Sequence, residues 1–382
     1  MEFLFWLSLI LIFHTFIGYP ISLVILNRII PKDEVNIRED YRPTVSIIIP
    51  AYNEEVVISS KLKNLINLSY SRGKVEIIIA SDNSTDKTND IVNNFIKENP
   101  ERNIKLYYVK KRMGKTNAQN EAVKISKGEV IVFSDANSIL KVDSIEELVK
   151  FFCDSQVAYV SGKLVYTNED VSQSSNAENS YWNYDLMMRE VESNLGSITA
   201  GNGAIYAIRK EDYIDLNPIQ CHDSIMPIKC VLDNKKAKYS PKSIAYEKAG
   251  ETIEDEFKRK VRMARENLSI SYSDLNKYNP FKVGLFSYFY FSHRYLRNML
   301  WVLHFIIFID NIFLISYNKF YVLTMVGQVA FYIIALLGRS LKSTILYMPY
   351  YYSMTILSQI LGAYNEMTGK SKPFWEKAET TK

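Results

Sequence analysis

The chain has 382 residues, which is enough for two or three domains with a sizeable buried core. Its 46 Lys and Arg residues nearly balance its 42 Asp and Glu residues, and the net charge of +4 argues against nucleic acid as a partner. The three cysteines form no paired motif, so a disulfide framework and a structural zinc site are not expected, and a reducing compartment is favoured.

The first predicted element is a membrane-spanning helix. Residues 3–27 carry no formally charged side chain, and a helix of this length crosses a hydrocarbon core of about 30 Å. A cleaved signal peptide is the alternative, but no basic segment precedes the apolar run and no small-residue cleavage site follows it. We therefore predict an uncleaved anchor over residues 1–28, followed by a linker over residues 29–42.

Residues 43–275 are predicted to form an α/β domain, because short β-branched runs alternate there with amphipathic stretches. Strands are predicted at residues 45–50, 75–82, 104–110 and 129–135, and helices at residues 56–67, 85–98 and 115–127. Crossovers of this length join parallel strands in right-handed βαβ units. Such sheets bind ligands beyond the carboxyl ends of their strands, so the residues that follow each strand carry the functional prediction.

Polar residues follow three of the predicted strands, and we expect them along one edge of the sheet. The residues are Ala51-Tyr52-Asn53-Glu54 after the first strand, Asp82 after the second, and Asp135 and Asn137 after the fourth. A carboxylate such as Asp82 can accept hydrogen bonds from a ribose or a base edge. Asp135 and Asn137 are two positions apart, so in an extended chain both can face one divalent cation that bridges two phosphates. Residues 84–86 have an alternative role as the cap of the following helix.

A basic loop, residues 110–115 (KKRMGK), connects the third strand to a helix. Cations and free N–H groups at the start of a helix favour anions such as phosphates. A solvated charged turn is the alternative for this loop.

Three uncharged runs, at residues 298–309, 320–338 and 343–365, predict a second membrane region. Lys and Arg residues flank the runs, and an excess of Lys and Arg normally stays in the cytoplasm, which predicts a multi-pass protein whose middle domain is cytoplasmic. The third run is rich in Tyr and contains Pro349, so a broken or interfacial segment is preferred over another crossing. The predicted boundaries are an interfacial connection over 276–297, the membrane region over 298–365 and a cytoplasmic tail over 366–382.

The ordered motifs between Thr44 and Arg265 resemble glycosyltransferase family 2. The motifs are VSIIIPAYNEE, IIIASDNSTDKT, KKRMGKTNAQNEA, VIVFSDANS, TAGNGAIYAIRKED, CHDSIMP and EFKRKVRMARE. Together with the membrane segments, they are most similar to the membrane-anchored cellulose-synthase-like and hyaluronan-synthase-like branch. The resemblance implies a GT-A fold with a mostly parallel central sheet and an inverting transfer from a nucleotide-diphospho-sugar.

The resemblance also implies roles for particular residues. The nucleoside would contact Ala51, Tyr52, Glu54 and Asp82, the phosphates would contact Lys115, and Mg²⁺ or Mn²⁺ would bind at Asp135 and Asn137. Asp223 would be the general base, because an acceptor hydroxyl is a poor nucleophile until a carboxylate removes its proton. Gly201, Asn202 and Gly203 would border the acceptor or donor sugar, and Arg259 and Arg262 would hold the leaving diphosphate.

Two departures from the family pattern bear on the product. Asn137 stands where many members have a second metal-binding Asp, which weakens the anionic site but keeps an oxygen ligand. Processive synthases have Q-x-x-R-W where this chain has residues 259–263 (RKVRM), so the acceptor-stacking Trp is absent. Transfer of one sugar or a few is therefore preferred over synthesis of a long polymer.

The predicted function is transfer of a sugar from a nucleotide-diphospho-sugar, with a UDP-linked donor preferred, to a saccharide or lipid-linked acceptor at the bacterial cell membrane. The product would belong to a surface polysaccharide or a glycolipid. Two alternatives stay open, which are transfer to polyprenyl phosphate and an inactive scaffold within a polysaccharide export complex. No protein partner or oligomeric state is predicted.

Overall fold

The structure is a computed structural model, and it describes residues 1–168, 173–250, 252–265, 268, 275–338 and 344–374. The strands are β1 Val45–Ala51, β2 Val75–Ser81, β3 Ile104–Tyr108, β4 Val130–Phe133, β5 Ile139–Leu140, β6 Val157–Tyr166, β7 Tyr206–Arg209 and β8 Lys236–Glu247. The main helices are α1 Glu2–Ile29, α2 Ile58–Ile66, α3 Thr88–Glu98, α4 Lys115–Ile125, α5 Ser144–Val149, α6 Gln173–Leu195, α7 His222–Leu232, α8 Ile253–Met263, α9 Phe286–Asn298, α10 Leu300–Leu314, α11 Lys319–Gly338 and α12 Thr344–Met367.

The described strands form one sheet in the order β3-β2-β1-β4-β7-β6-β8-β5. β1 pairs in parallel with β2 and β4, and β2 pairs in parallel with β3. β7 is antiparallel to both of its neighbours, while β8 continues the sheet in parallel with β6. The carboxyl ends of β1 to β4 therefore meet at one edge of the sheet, as the alternating pattern predicts.

Burial in the core explains why the positions of the first strands could be predicted from the sequence. Ile47, Ile48 and Ile49 of β1 are fully buried although their side chains alternate between the two faces of the sheet. β4 is buried at each of its four positions in the same way. A strand covered by helices on both faces gains about 1.5–3 kcal/mol for each large aliphatic side chain that it buries, which selects a continuous apolar run.

The predicted strands are present, but three of them end earlier than predicted. β2 ends at Ser81, β3 at Tyr108 and β4 at Phe133. Asn83 follows β2 with a φ of 61°, and Asn53 follows β1 with a φ of 52°. Asn is one of the few residues that tolerate this left-handed backbone conformation, so the chain turns at both positions and leaves the sheet.

Two described helices, α1 and α11, are long and apolar enough to cross a membrane. α9 and α10 are bent by 62° relative to each other and would provide a third span if they act as one. α1 passes through Pro20 without ending, and its residues His14–Gly18 form a wider helical turn just before that proline.

The sequence favours a broken or interfacial segment over residues 343–365, and the structure contradicts only the broken form, while the interfacial position stays a prediction. α12 is continuous from Thr344 to Met367 with Pro349 inside it. Pro349 lies beyond the first turn of the described helix, so it removes one N–H from the hydrogen-bond ladder, and the helix continues through it. Residue 343 and the predicted tail residues 375–382 lie outside the described part of the chain.

Candidate active site at the carboxyl edge of the sheet

The ends of β1 and β2 are joined by hydrogen bonds between their polar loops. The Asp82 N–H donates to the Ala51 carbonyl at 2.9 Å, and the Thr85 N–H donates to Asn53 Oδ1 at 2.8 Å. The buried Glu54 is held through its own N–H, which donates to Thr88 Oγ1 at 2.8 Å. Residues predicted to contact a nucleoside therefore share one edge of the sheet.

Asp86 has the capping role that was the alternative for residues 84–86. Its Oδ1 accepts a hydrogen bond from the Thr88 N–H at 3.0 Å, at the start of α3. Its Oδ2 accepts a second one from the Glu55 N–H at 3.1 Å. Asp86 thus stabilises the local structure beside Asp82.

Asp82 fixes the basic loop at this edge. Its two carboxylate oxygens accept hydrogen bonds from the Met113 N–H at 3.1 Å and the Gly114 N–H at 2.8 Å. Burial raises the pKa of Asp82, although these two hydrogen bonds and the charge of Arg112 act in the opposite direction. In this arrangement Asp82 stabilises the basic loop. In the same loop, the Arg112 guanidinium stacks over the ring of Tyr52 at 3.7 Å from its centroid.

Lys115, Asp135 and Gly203 meet at the centre of the edge. Lys115 forms an ion pair with Asp135 Oδ1. A Cβ atom on Gly203 would lie 2.7 Å from Lys115 Nζ and 3.0 Å from Asp135 Oδ2, so any larger residue there would have to displace the ends of these two side chains. Burial lowers the pKa of Lys115, but the negative charges of Asp135 and Asp223 more than compensate and raise it overall.

Asp135 and Asn137 lie in a turn, where an extended chain was assumed from the sequence. The Ser138 N–H donates to the Asp135 carbonyl at 3.2 Å and closes this turn. Ala136 points inward and is 3% exposed, while Asp135 and Asn137 are half-buried. Both side chains are therefore partly accessible at the carboxyl edge of the sheet even though the backbone differs from the predicted geometry, and we call the space at this edge beside Lys115, Asp135 and Gly203 the opening.

Lys61 supports this turn from below, a role that the sequence reasoning missed. Its Nζ donates to Ser134 Oγ and to the Ser138 carbonyl, both at 2.7 Å. Burial lowers the pKa of Lys61 to about 7, although the charges of Asp135 and Glu247 raise it. The available signal was its position between Ile58 and Leu65, on the apolar face of α2.

Asp223 lies in the first turn of α7 and is half-buried. Its carbonyl accepts a hydrogen bond from the Gly201 N–H at 2.8 Å, which joins it to the glycine loop, residues 201–203. Its carboxylate is near enough to Lys115 to raise the pKa of that side chain. The predicted base and the predicted phosphate ligand are thus brought together.

His222 is a core residue beside Asp223. Its Nδ1 faces the Tyr206 hydroxyl at 3.1 Å, and its Nε2 faces the Tyr213 hydroxyl at 2.9 Å. Burial lowers the pKa of His222 to about 3, so the ring is neutral at physiological pH. With both ring nitrogens bonded inside the protein, His222 positions α7 and does not present a metal ligand.

The glycine loop is held in place by the side chains around it. Asn202 Nδ2 donates to the Gly162 carbonyl at 2.6 Å, and Asn202 Oδ1 accepts from the Ala204 N–H at 3.1 Å. Arg189 on α6 donates to the Gly201 carbonyl at 2.5 Å. Asn202 therefore shapes the loop from inside, and its backbone neighbours border the opening.

The two arginines of α8 have different surroundings, although they were predicted to act together. Arg259 forms ion pairs with Glu178 on α6 and with Glu256. Arg262 has its pKa lowered by burial and by the nearby Arg259 and Arg265, whereas the charge of Asp135 raises it. Arg259 thus ties α8 to α6, and Arg262 is the one within electrostatic reach of Asp135.

Comparison with known proteins decides the family. Residues 46–216 match the family model described as glycosyl transferase family 2. "Probable glycosyltransferase YdaM" of Bacillus subtilis (strain 168) is 29% identical over 313 residues, a match that covers 76% of this chain and 73% of that protein. The chain carries a glycosyltransferase family 2 domain. It is therefore a transferase enzyme, as predicted.

Two further matches are a glycolipid synthase, which is similar in sequence, and a solved mannosyltransferase, which is similar in fold. Beta-monoglucosyldiacylglycerol synthase of Nostoc sp. is 31% identical over 163 residues, covering 42% of this chain but only 35% of the synthase. The solved mannosyltransferase PcManGT from Pyrobaculum calidifontis, in complex with GDP-Man and Mn²⁺, superposes with a TM-score of 0.71 at 20% identity, over 96% of this chain and 99% of its own. The predicted GT-A fold is confirmed, and the cellulose-synthase-like branch stays a prediction.

A segment after α12 also reaches the basic loop at the carboxyl edge of the sheet, which the sequence did not predict. The Lys372 carbonyl accepts a hydrogen bond from Arg265 at 2.8 Å. A Cβ atom on Gly114, whose φ is 90°, would lie 2.2 Å from the Pro373 carbonyl oxygen. The Phe374 ring lies 4.7 Å from the Arg112 guanidinium, so this segment packs against the basic loop.

The residues at Asp135 fit a divalent cation that the donor helps to bind. Among the described residues, no group of three or more His, Cys, Asp or Glu side chains could hold a metal without a substrate. Mg²⁺ is commonly bound by one or two protein oxygens together with substrate phosphates, so a small protein ligand set is compatible with it. Asp135 and Asn137 provide two oxygen groups at the opening where the phosphates are expected.

Proposed function

We propose that this glycosyltransferase moves a sugar from a UDP-linked donor, with inversion, to a saccharide or lipid-linked acceptor at the bacterial cell membrane. The observation that supports it most is the grouping of Lys115, Asp135 and Gly203, with the charge of Asp223 acting on Lys115. A cation, a candidate metal ligand and a candidate base grouped in this way support donor binding and transfer at one site. An inactive scaffold would not need these groups together.

The donor side of the proposal follows from the charges at the edge. Lys115 and Arg262 would neutralise the diphosphate, and Tyr52 with Arg112 would provide a flat surface for the base. Asp135 and Asn137 would hold Mg²⁺ or Mn²⁺, which supplies positive charge for the departing diphosphate. Binding of a diphosphate would require Lys115 to share its ion pair with Asp135.

The transfer step is assigned to Asp223. Its carboxylate would take the proton of an acceptor hydroxyl while the acceptor oxygen bonds to the anomeric carbon of the sugar. The bond between that carbon and the phosphate oxygen breaks at the same time, and the nucleoside diphosphate leaves toward Lys115. Attack from the side opposite to the leaving group inverts the anomeric configuration, which gives a β-linkage from an α-linked donor.

The membrane attachment in the proposal is supported by α1 and α11. Lys and Arg residues flank the apolar runs, which favours a multi-pass arrangement with the catalytic domain in the cytoplasm. A cytoplasmic domain would have direct access to nucleotide-sugars. Accessibility labelling of cysteines introduced in the loop between α10 and α11 would test this orientation.

A donor screen tests the proposal. Purified protein in lipid nanodiscs would be incubated with UDP-, GDP- and dTDP-linked sugars with or without Mn²⁺, and released nucleoside diphosphate would be measured. We expect Mn²⁺-dependent release with at least one UDP-sugar, and loss of release in Lys115→Ala but not in Lys97→Ala on the outer helix α3. Absence of release with every donor, in the presence of saccharide and lipid acceptors, would refute the proposal and favour a scaffold.

A further inference from the structure

Lys61 is a fully buried lysine on the face of α2 that packs against the core. The side chain is 0% exposed, and its neighbours on this face are Ile58, Leu62 and Leu65. Burial of an amine costs free energy, whereas a methionine of similar length would fill the same space at a lower cost. The packing of α2 therefore does not explain why a lysine stands here.

Lys61 joins both ends of the turn at residues 134–138, which carries the two candidate metal ligands and which we call the Asp135 turn. Its Nζ donates to Ser134 Oγ at the start of the turn and to the Ser138 carbonyl at its end, both at 2.7 Å. The Ser138 hydroxyl in turn donates to the carboxylate of Glu247, the last residue of β8. One side chain thus holds the turn closed from within the core.

A second hydrogen bond extends this contact to the glycine loop. Ser134 Oγ donates to the Ala204 carbonyl at 2.6 Å, and Ala204 directly follows the loop, residues 201–203. A serine hydroxyl has a single proton, which is used here toward Ala204, so Lys61 has to be the donor in its contact with Ser134. Lys61 therefore orients the hydroxyl that connects the Asp135 turn to the glycine loop.

The packing of α2 on the sheet does not depend on Lys61 alone. Asn64, three positions later on the same helix, forms two hydrogen bonds with the backbone of Leu140 in β5, both at 2.8 Å. These bonds involve neither the Asp135 turn nor the glycine loop. A substitution at Lys61 should therefore release the turn and leave the helix in place.

We propose that Lys61 is a positioning residue for the cation that accompanies the donor, because it fixes the Asp135 turn and the glycine loop to each other. The proposal rests on the proposed function, in which Asp135 and Asn137 hold Mg²⁺ or Mn²⁺ beside the diphosphate. A cation bound by only two protein groups depends on the backbone that carries them, so the residue that holds this backbone controls the affinity.

Lys61→Met tests this role, with Lys63→Met at an exposed position of the same helix as the matched control. Methionine fills the space of the lysine but donates no hydrogen bond. In nanodiscs, isothermal titration should show that the gain in UDP affinity caused by Mn²⁺ falls at least about tenfold in Lys61→Met and is unchanged in Lys63→Met. The affinity for UDP without Mn²⁺ and the thermal midpoint should stay close to those of the wild type.

Ser134→Ala provides a second test that keeps the lysine in the core. It removes the link to Ala204 but leaves the contact between Lys61 and the Ser138 carbonyl. We expect faster hydrogen–deuterium exchange in peptides that cover the glycine loop in both Ser134→Ala and Lys61→Met. The double variant should exchange there no faster than Lys61→Met, because both substitutions act through the same hydroxyl.

The outcomes distinguish this role from the proposed function. Wild-type protein whose UDP affinity does not respond to Mn²⁺ would refute the metal-dependent donor binding of the proposed function, and this role with it. A wild-type response to Mn²⁺ that Lys61→Met retains, or unchanged loop exchange in both variants, would overturn the role of Lys61 alone. Equal losses of UDP affinity with and without Mn²⁺ would also overturn it, because they would show that Lys61 only stabilises the fold.

Discussion

At the scale of single residues, the ion pair between Lys115 and Asp135 occupies the position where the diphosphate is expected. Asp135 offsets the charge of Lys115 in the donor-free protein. When the donor binds, Asp135 would hold a divalent cation that offsets the charge of the diphosphate. The pair thus favours the charged form of the half-buried Lys115 before the substrate arrives.

Replacement of Asp135 tests its assignment as a metal ligand. Asp135→Ala removes the carboxylate and leaves only the Asn137 amide oxygen as a candidate metal ligand. We therefore expect donor affinity to become independent of Mn²⁺. Titration of UDP-sugar with and without Mn²⁺ measures this, with the exposed Asp90→Ala on α3 as the control. A Mn²⁺-dependent affinity equal to that of the wild type would remove Asp135 from the site.

His222 gives a prediction for stability at low pH. Its pKa is about 3 in the folded protein and 6.5 in the unfolded chain. Between these values the unfolded chain binds more protons, so stability falls as the pH decreases from 6.5, by up to roughly 1.4 kcal/mol per pH unit. His222→Gln should flatten the dependence of the thermal midpoint on pH between 5 and 6.5, and an unchanged slope would contradict this account.

Lys61 and Arg259 show what a local pattern does not predict. Lys61 was not expected to be buried, and Arg259 was expected to hold a diphosphate, yet Lys61 supports the turn at Asp135 and Arg259 pairs with Glu178. Ser134 is 73 positions from Lys61 and Glu178 is 81 positions from Arg259, whereas Glu256, the other partner of Arg259, is only three positions away. Charges can be buried when such distant partners satisfy them, and those partners are set by the tertiary fold.

At the scale of elements, α6 connects the apolar helices to the glycine loop. Arg189 pairs with Asp185 at 2.6 Å and also donates to the Gly201 carbonyl. Asp185 in turn contacts His293 at 2.9 Å and Arg297 at 2.8 Å, both on α9. Asp185 and Arg189 therefore connect α9 to the glycine loop through a continuous set of hydrogen bonds.

Arg189→Lys tests this connection. Lysine can keep the ion pair with Asp185 but lacks the forked donor that also reaches Gly201, so the loop should lose one fixed contact. We expect a higher KM for the acceptor with unchanged UDP affinity and a nearly unchanged thermal midpoint. Arg38→Lys, at an exposed position in the linker, is the control, and a variant with an unaltered acceptor KM would show that the contact does not position the loop.

The elements themselves were largely predictable, because burial on both faces of β1, β2 and β4 leaves a continuous apolar run. The continuity of α12 was not predicted, since Tyr residues and Pro349 are as compatible with an interfacial break as with a packed helix. Tyr351 of α12 bonds to Glu178, and Tyr347 is 2% exposed, so these tyrosines are used for packing. Side-chain composition alone does not distinguish these two uses of tyrosine.

At the scale of the whole molecule, the two ends of the chain pack on the catalytic domain and on each other. Tyr321 of α11 donates to Glu2 at 2.7 Å, and Tyr19 of α1 donates to Glu192 of α6 at 2.6 Å. Residues 372–374 lie on the basic loop. These contacts join positions that are far apart in the sequence, which is why the sequence predicted the separate parts but not the way in which they meet.

We propose that sugar transfer takes place at the carboxyl edge of the sheet, with Asp223 as the base. The most direct test measures UDP-sugar affinity, turnover and thermal midpoint on the same Asp223→Asn protein, with Asp90→Asn as the matched control. Asn keeps the shape but cannot take the proton, so we expect near-normal donor affinity and stability with turnover lowered by roughly 10²- to 10⁴-fold. A folded Asp223→Asn protein with near-normal turnover would contradict the account.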